Sequence, residues 1–422
     1  MPSILTRPSG GGGAGGSVSV TAYSDAGFTT PITSADVGDT IYIRAENVSG
    51  ITPVEYLFEF VDSLGNCTAI YNGVNDNTSW TINAGLGNGR LFCFGTEDAS
   101  STENWVGQSK DFEVAGFEGV LDAYPNNNVW AGSQISLRFG FTNPLVRYRR
   151  ASDNDAGDFS RDNSVTPVRI TDDSILSGGV PSSNDGDILS NFVSGTDAFA
   201  PTIYDQTTNG NNATQSTASK QSKVVDAGSL ILGNSRACFE FDGSDDELDL
   251  WALGTVPPLP YQTLGTAITY IDWVYPTQLN SGGAFWFPAQ TLIELTSGAV
   301  NGNVPLSVGF EGNKLKVGVA DNTTSSFNAF TSTATFSLGV WYKIAVTVNF
   351  NTVKIYVNGS LDSTHTITSA TGDRSMGANN ASGRYCGRGD FRCFKGRTIA
   401  PILKAEVLTD AEITDIHNNY YV

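Results

Sequence analysis

The chain has 422 residues and a formal net charge of −19, from 24 Lys and Arg against 43 Asp and Glu. That balance excludes a phosphate-binding face of clustered cations, so nucleic acid is not an expected partner. Only 16% of residues are charged while glycine reaches 46 copies, a texture of turns and strand surfaces that argues for an all-β protein of two or three domains.

The chain opens with MPSILTRPSGGGGAGG. Residues Pro2 to Pro8 form a short apolar and basic peptide, and the run Gly10–Gly16 that follows is flexible-linker composition. Two readings stand for residues 1–16: a disordered tail, or an anchor in which Ile4, Leu5 and Arg7 dock onto a partner. No apolar h-region follows Met1 and no apolar run reaches about 18 residues, so neither a signal peptide nor a membrane span is expected. From Ser17 to about Ala115, segments such as SVSVTAYS, DTIYIRAENV, VEYLFEFVD, TSWTIN and RLFCFGTED alternate apolar and polar residues between Gly, Asp and Asn clusters. That spacing predicts an immunoglobulin-like sandwich over residues 17–115. Trp80 follows Cys67 at a plausible distance, but Cys93 comes too soon to be the usual cross-sheet partner.

The texture changes at Gly116–Gly119, and residues 116–422 read as one sheet-rich domain. Its clearest element is a three-strand meander. Ile344, Val346 and Val348 alternate with polar neighbours, Val353, Ile355 and Val357 do so after a turn at Asn349–Thr352, and Asn358-Gly359 supplies the next hairpin. A short helix closes the chain, with Thr409 and Glu412 as a capping box and Leu408 and Ile413 as a hydrophobic staple. The five cysteines, at 67, 93, 238, 386 and 393, are too few and scattered for a disulfide scaffold, and no Cys-x-x-Cys suggests zinc. Cys386 and Cys393 are spaced to close a small loop.

Several segments carry a resemblance. Trp341–Thr347, Lys354–Gly359, the tail Phe394–Tyr420 and the hairpin Phe239–Asp246 resemble the concanavalin A-like, laminin-G-like jelly-roll superfamily. Leu121–Tyr124, Ser136–Arg138, Val146–Asn154, Asp197–Thr202, Ile203–Gln206 and Asn209–Gln215 follow an order similar to the sandwich of fungal-type α-L-arabinofuranosidase B, and to phage virion proteins sharing that module. The PSIL-x-RP start with its glycine run is likewise similar to tail, fibre or capsid-decorating proteins of tailed phages. The resemblance implies a virion protein assembled in the host cytoplasm. It would dock on capsid or tail proteins through its N-terminal arm and present the jelly roll to host glycans. Two alternatives remain open, a glycan depolymerase and a ligand-free cement protein. A homotrimer is a further expectation, although no heptad repeat is present.

The resemblance places an arabinofuranosidase nucleophile after a vicinal cysteine pair and its acid in a later Gly-Asp-Gly stretch. This chain has no vicinal cysteines, and Asp272 and Glu294, the nearest acids, stand in unmatched contexts, so no catalytic residue is carried over. Candidate ligand-binding residues are Tyr204, Asp205, Gln206, Trp251, Trp286 and Tyr385. Core packing competes for the aromatics, Trp273 and Tyr261 included, and turn chemistry competes for the Tyr204 segment. Arg147, Arg149 and Arg150 are expected to pair internally with Asp153, Asp155 or Asp205. Asp242, Asp245 and Asp246 in DGSDDELD offer clustered carboxylates for Ca²⁺, or else form a solvated hairpin tip. Arg388-Gly389-Asp390 matches an integrin-binding tripeptide, a match too short to carry weight. His365 and His417 are isolated, which excludes a histidine triad.

Overall fold

The computed structural model describes all residues except 1–16, 33, 36–39, 50–52, 54, 63–66, 82–88, 97–105, 115–118, 139–140, 142, 163–168, 256–257, 283–286, 298–302, 321–327, 369–373, 375–380, 388–391 and 421–422. Ile4, Leu5, Arg7, Trp286 and the Arg388–Asp390 triplet thus lie outside the described residues. The chain divides into two units, Met1–Glu118 and Gly119–Val422.

The first unit has two sheets. One runs in the order Pro31–Ile32, Ser17–Tyr23, Thr40–Ser49, Asn77–Thr81, the other Ser34–Ala35, Val106–Val114, Gly89–Thr96, Glu55–Asp62, Cys67–Gly73. Ser34–Ala35 pairs parallel with Val106–Val114. Alternation along the strands buries Val18, Val20, Ile41 and Ile43 from one sheet and Phe58, Phe60, Leu91 and Cys93 from the other. Trp80 meets Phe60 across the sheets at 5.4 Å between ring centroids. The strands bearing Cys67 and Cys93 share one sheet with Glu55–Asp62 between them, so these cysteines do not face each other across the sandwich. The grouping is compatible with an immunoglobulin-like layout.

The second unit is a jelly-roll sandwich built around the strand Ala267–Pro276. One edge of that strand pairs with Tyr342–Asn349, from Ala267 to Val274. The other edge takes Lys395–Thr398 and then Ile402–Lys404. Tyr342–Asn349 continues through Thr352–Val357 to Ser360–Thr366, the meander that the alternation predicts. Its second hairpin turns on Asn358 and Gly359, at φ +51° and +76°, where only a small or amide side chain is comfortable. The facing strands run Leu248–Thr255, Ala381–Tyr385, Gln290–Ser297, Asn303–Glu311, Lys314–Val319, Asn328–Thr331. The two layers share one apolar core, in which Tyr385 touches Trp130 and Phe241, each at 5.7 Å.

The helix Asp410–Asn419 begins as expected. Glu412 N donates to Thr409 Oγ1 at 3.2 Å, and Thr409 N donates to the Glu412 carboxylate at 2.7 Å. Its far end is met by Lys343, whose ammonium donates to the carbonyls of His417 and Tyr420. A cation there complements the helix dipole. Burial nonetheless lowers the Lys343 pKa to about 8. Lys404, fully inside the protein, donates to the carbonyls of Tyr124 and Asn126 and to Asn128 Oδ1, each at 2.7 Å, and pairs with Glu406 at 2.9 Å. All of its charge and donors are therefore used, which is the condition for burying an ammonium.

Asp272 is another fully buried ionisable residue of this unit. Its Oδ2 accepts from the hydroxyls of Tyr270 and Tyr385, each at 2.8 Å, and Oδ1 accepts from Trp273 N at 2.8 Å. Burial pushes its pKa up to about 7 against those hydrogen bonds. A carboxyl whose folded pKa lies above its unfolded value stabilises the fold through its proton. That contribution is complete below about pH 4 and is lost as pH rises through about 7. Wild type is therefore expected to lose up to about 4 kcal/mol relative to Asp272→Asn between those limits. Urea unfolding of both proteins across that pH range checks this, and parallel pH profiles would remove Asp272 as the source.

Candidate functional site

The strand Ala198–Ile203 ends at Ile203, and the chain then folds back through Tyr204–Asn212. Asp205 organises that turn. Its carboxylate accepts from Ala131 N at 3.3 Å, Thr207 N at 3.0 Å, Thr207 Oγ1 at 2.8 Å and Asn211 N at 2.9 Å. Its own N–H donates to Asn212 Oδ1 at 3.0 Å. Gly210, at φ +69°, lets the loop close around these bonds. Burial raises the Asp205 pKa while the hydrogen bonds oppose it. Gln206 is equally consumed. Its Oε1 accepts from Leu137 N at 2.6 Å, and its Nε2 donates to the carbonyls of Ser133 and Ile135 at 3.1 and 2.9 Å. The turn-chemistry reading of this segment thus describes Asp205 and Gln206.

Tyr204 differs from both. It is half-buried, and its hydroxyl donates to Asp158 Oδ1 at 2.6 Å, an oxygen that also takes Arg147 at 2.8 Å. Burial, with the Asp158 carboxylate beside it, pushes the phenol up to about 12. Its ring forms part of the wall of a cavity of about 800 Å³, together with Phe141, Asn143, Asp158, Thr208 and Asn212. A second cavity of about 280 Å³ shares Arg138, Thr207 and Thr208 with the first. The combination of ring faces with amides and hydroxyls suits a small polar ligand with apolar faces.

Other candidates fall elsewhere. Tyr385 is fully buried in the core, so it presents no face to a ligand. Trp251 is 7% exposed, packs against Tyr261 with ring centroids 4.5 Å apart and planes tilted by 50°, and fills the space above Gly383, where a Cβ would sit 2.0 Å from its ring. Gln206 is likewise sealed from solvent. Trp273 and Tyr261 are core residues as well. Of the arginines, Arg150 pairs with Asp153 and Asp155, both at 2.6 Å, as expected, whereas Arg147 pairs with Asp158 at 2.8 Å and not with Asp205. Asp205 is already enclosed by backbone donors, which leaves no oxygen for a guanidinium.

The two acids considered for catalysis do not form a pair. Asp272 lies inside the core between tyrosines, whereas Glu294 stands on the opposite layer, cross-strand from Arg384 and Ser307 and 3.8 Å from Arg392. Asp242, Asp245 and Asp246 do converge, with one oxygen of each within 4.8 Å of the others. Burial, and then repulsion from Asp242 and Asp245, raises Asp246 to about 7 even though its carboxylate accepts from Asp242 N. Cys386 and Cys393 are both buried as thiols, and burial drives Cys386 well above the usual thiol range. His365 stacks on Phe330 at 4.9 Å.

Arg138 and Phe141 were not singled out by sequence patterns. They belong to the irregular 132–145 segment, where no periodicity marks a side chain as cavity-lining.

Residues 254–413 match the family model of the concanavalin A-like lectin/glucanases superfamily. No curated protein matches the sequence. Among solved structures, the chain is similar to an arabinofuranosidase complexed with arabinofuranosyl-alpha-1,2-xylobiose, at 14% identity and a TM-score of 0.45, covering 71% of this chain and 63% of that one. It thus spans less than two thirds of that enzyme's length. It is also similar to domain 4 of the extracellular arabinanase AbnA from Geobacillus stearothermophilus, in complex with arabinotriose, at 20% identity and a TM-score of 0.32, covering 44% of this chain and 79% of that one. A third likeness is to a heptameric pentraxin of Limulus polyphemus, at 16% identity and a TM-score of 0.32, over 43% and 82% of the two chains. The second unit is a concanavalin A-like, lectin-like sandwich.

The turn and the wall residue separate by mutation. Asp205→Ala orphans buried backbone donors and is expected to cost about 3 kcal/mol of stability. Tyr204→Phe removes one hydrogen bond to Asp158, at a cost of about 1 kcal/mol. Denaturant unfolding of the two variants measures both. Equal costs would mean that Tyr204 shares the structural role of Asp205.

Proposed function

We propose that this chain is a surface component of a phage particle whose lectin-like sandwich binds host-surface glycan without cutting it. The carrying observation is the cavity of about 800 Å³ beside the Tyr204 turn, whose wall sets the half-buried Tyr204 ring among Asn143, Thr208 and Asn212. Sugars offer an apolar ring face and a rim of hydroxyls, and such a wall answers both. The peptide Pro2–Pro8 and the run Gly10–Gly16 support the other half of the reading. They supply an anchor in which Ile4, Leu5 and Arg7 contact capsid or tail protein, and a tether that carries the rest outward.

The burial of the two acids considered for catalysis supports binding without turnover by them. Asp272 is sealed between Tyr270 and Tyr385, and Glu294 is 2% exposed. Neither reaches a bound sugar without rearrangement of the sandwich.

A glycan array probed with the chain is expected to show retention that Tyr204→Ala weakens about tenfold, with bound oligosaccharide recovered intact. Absence of retention on any glycan overturns the binding reading, and release of free sugar overturns the non-catalytic one.

We further propose Ca²⁺ as a ligand of Asp242, Asp245 and Asp246. Three hard oxygens within reach of one ion, one of them on a buried carboxyl held up near pH 7 by burial and its neighbours, support this. Millimolar Ca²⁺ is expected to raise the unfolding midpoint of wild type and to leave Asp245→Asn unmoved. Calorimetric melts with and without chelator check this, and identical wild-type melts would exclude the site.

A further inference from the structure

We infer that the Tyr204 cavity takes a sugar bearing a carboxylate, with the Arg138 guanidinium as its anchor. This rests on the glycan-binding reading and narrows it to a substrate class. The argument turns on which charges around the cavity are already used.

Three ionisable side chains other than Tyr204 line it: Arg138, Asp158 and Asp205. Asp158 is paired with Arg147 at 2.8 Å, and the same oxygen accepts the Tyr204 hydroxyl. Asp205 is enclosed by three backbone N–H groups and the Thr207 hydroxyl, and burial favours its neutral form. Asp205 is therefore occupied through both oxygens and Asp158 through Oδ1. Arg138 is not comparably held. Among the described residues its closest carboxylate is Asp122, at 3.9 Å from Nε, beyond hydrogen-bond distance. Asp122 is itself engaged by Gly119 N at 3.0 Å. The Arg138 side chain keeps 40% of its surface exposed.

Position matters as much as charge. Arg138 lines both the 800 Å³ and the 280 Å³ cavities, so this residue stands where the two meet. A planar fork of donors at that junction matches a carboxylate bidentately, which a neutral hydroxyl does not. The chain as a whole carries −19, so long-range steering works against polyanions. Selection for an acidic sugar must therefore be local. It should depend on Arg138 alone and only weakly on ionic strength, because the contact lies within a Debye length of about 8 Å.

The full chain, wild type and with Arg138→Gln or Arg138→Lys, is titrated calorimetrically with galacturonate and glucuronate oligomers and with their methyl esters. Wild type is expected to bind at least one acid about tenfold or more tighter than its ester. Arg138→Gln should bring acid and ester to the same affinity without lowering that for the ester, and Arg138→Lys should retain part of the preference. Equal wild-type affinities for acid and ester, or a preference surviving in Arg138→Gln, overturn this inference and leave the glycan-binding reading standing. Binding of neither set overturns both. Arg138 sits at the surface, and thermal melts confirm that the variants fold.

Discussion

The strand Ala267–Pro276 is the constraint on which the second unit depends, because it is paired on both edges and buried on both faces. Its two faces meet different surroundings. Ile268, Tyr270 and Val274 belong to the core, where Asp272 joins the Tyr270 and Tyr385 hydroxyls. Ile271 and Trp273 lie against Ile413 and Ile416 of the C-terminal helix, with the Lys343 ammonium 5.3 Å from the Trp273 ring. Side chains alternate with a period of two, so a one-residue slip would drive Trp273 into the core and Asp272 under the helix. Neither environment accepts the exchange, and the register is thereby held from both sides.

The candidate site follows from a different economy. Ser133 O, Ile135 O and Leu137 N lie outside the named strands, and Gln206 supplies hydrogen bonds to all three. Asp205 does the same for Ala131 and for its own turn. With two polar side chains bonded to this backbone, residues 132–138 stay outside the named strands, and the cavity lies beside them. Tyr204, between the two layers of this arrangement, keeps a face for the cavity because its hydroxyl is held by Asp158 from the side.

Legibility in the sequence followed the range of the interactions. The meander, the Asn358-Gly359 turn and the Thr409–Glu412 box depend on residues within a few positions of one another, and alternation or capping chemistry revealed them. The internal pairing of Arg150 with Asp153 and Asp155 was readable for the same reason. Trp251 and Tyr385 were not. Trp251 is buried because Gly383, more than a hundred residues away, vacates the space for its ring, and Tyr385 because Asp272 and Trp130 surround it. No local pattern encodes such partners. Arg138 has no local signal for a related reason, since the role proposed for it depends on the bonds that Asp158 and Asp205 make with other residues.

The same accounting of used charges applies to the acids of the facing layer. Asp249 and Glu294 both stand opposite Arg384, one on each side, with Ser307 next to Glu294. Two strand spacings put their backbones about 10 Å apart. An inverting enzyme would need a water and the scissile bond between those acids. Here Arg384 occupies the intervening strand position, bonded to Glu247 at 2.9 Å and 3.5 Å from Asp249. Glu294 lies beneath Arg392, whose guanidinium packs on Phe287 at 4.2 Å. Burial raises the Asp249 pKa while Arg384 opposes it, and the Asp249 side chain keeps 33% of its surface exposed. The row ties one sheet together, and the wall proposed to hold a sugar is built from other residues, beside Tyr204.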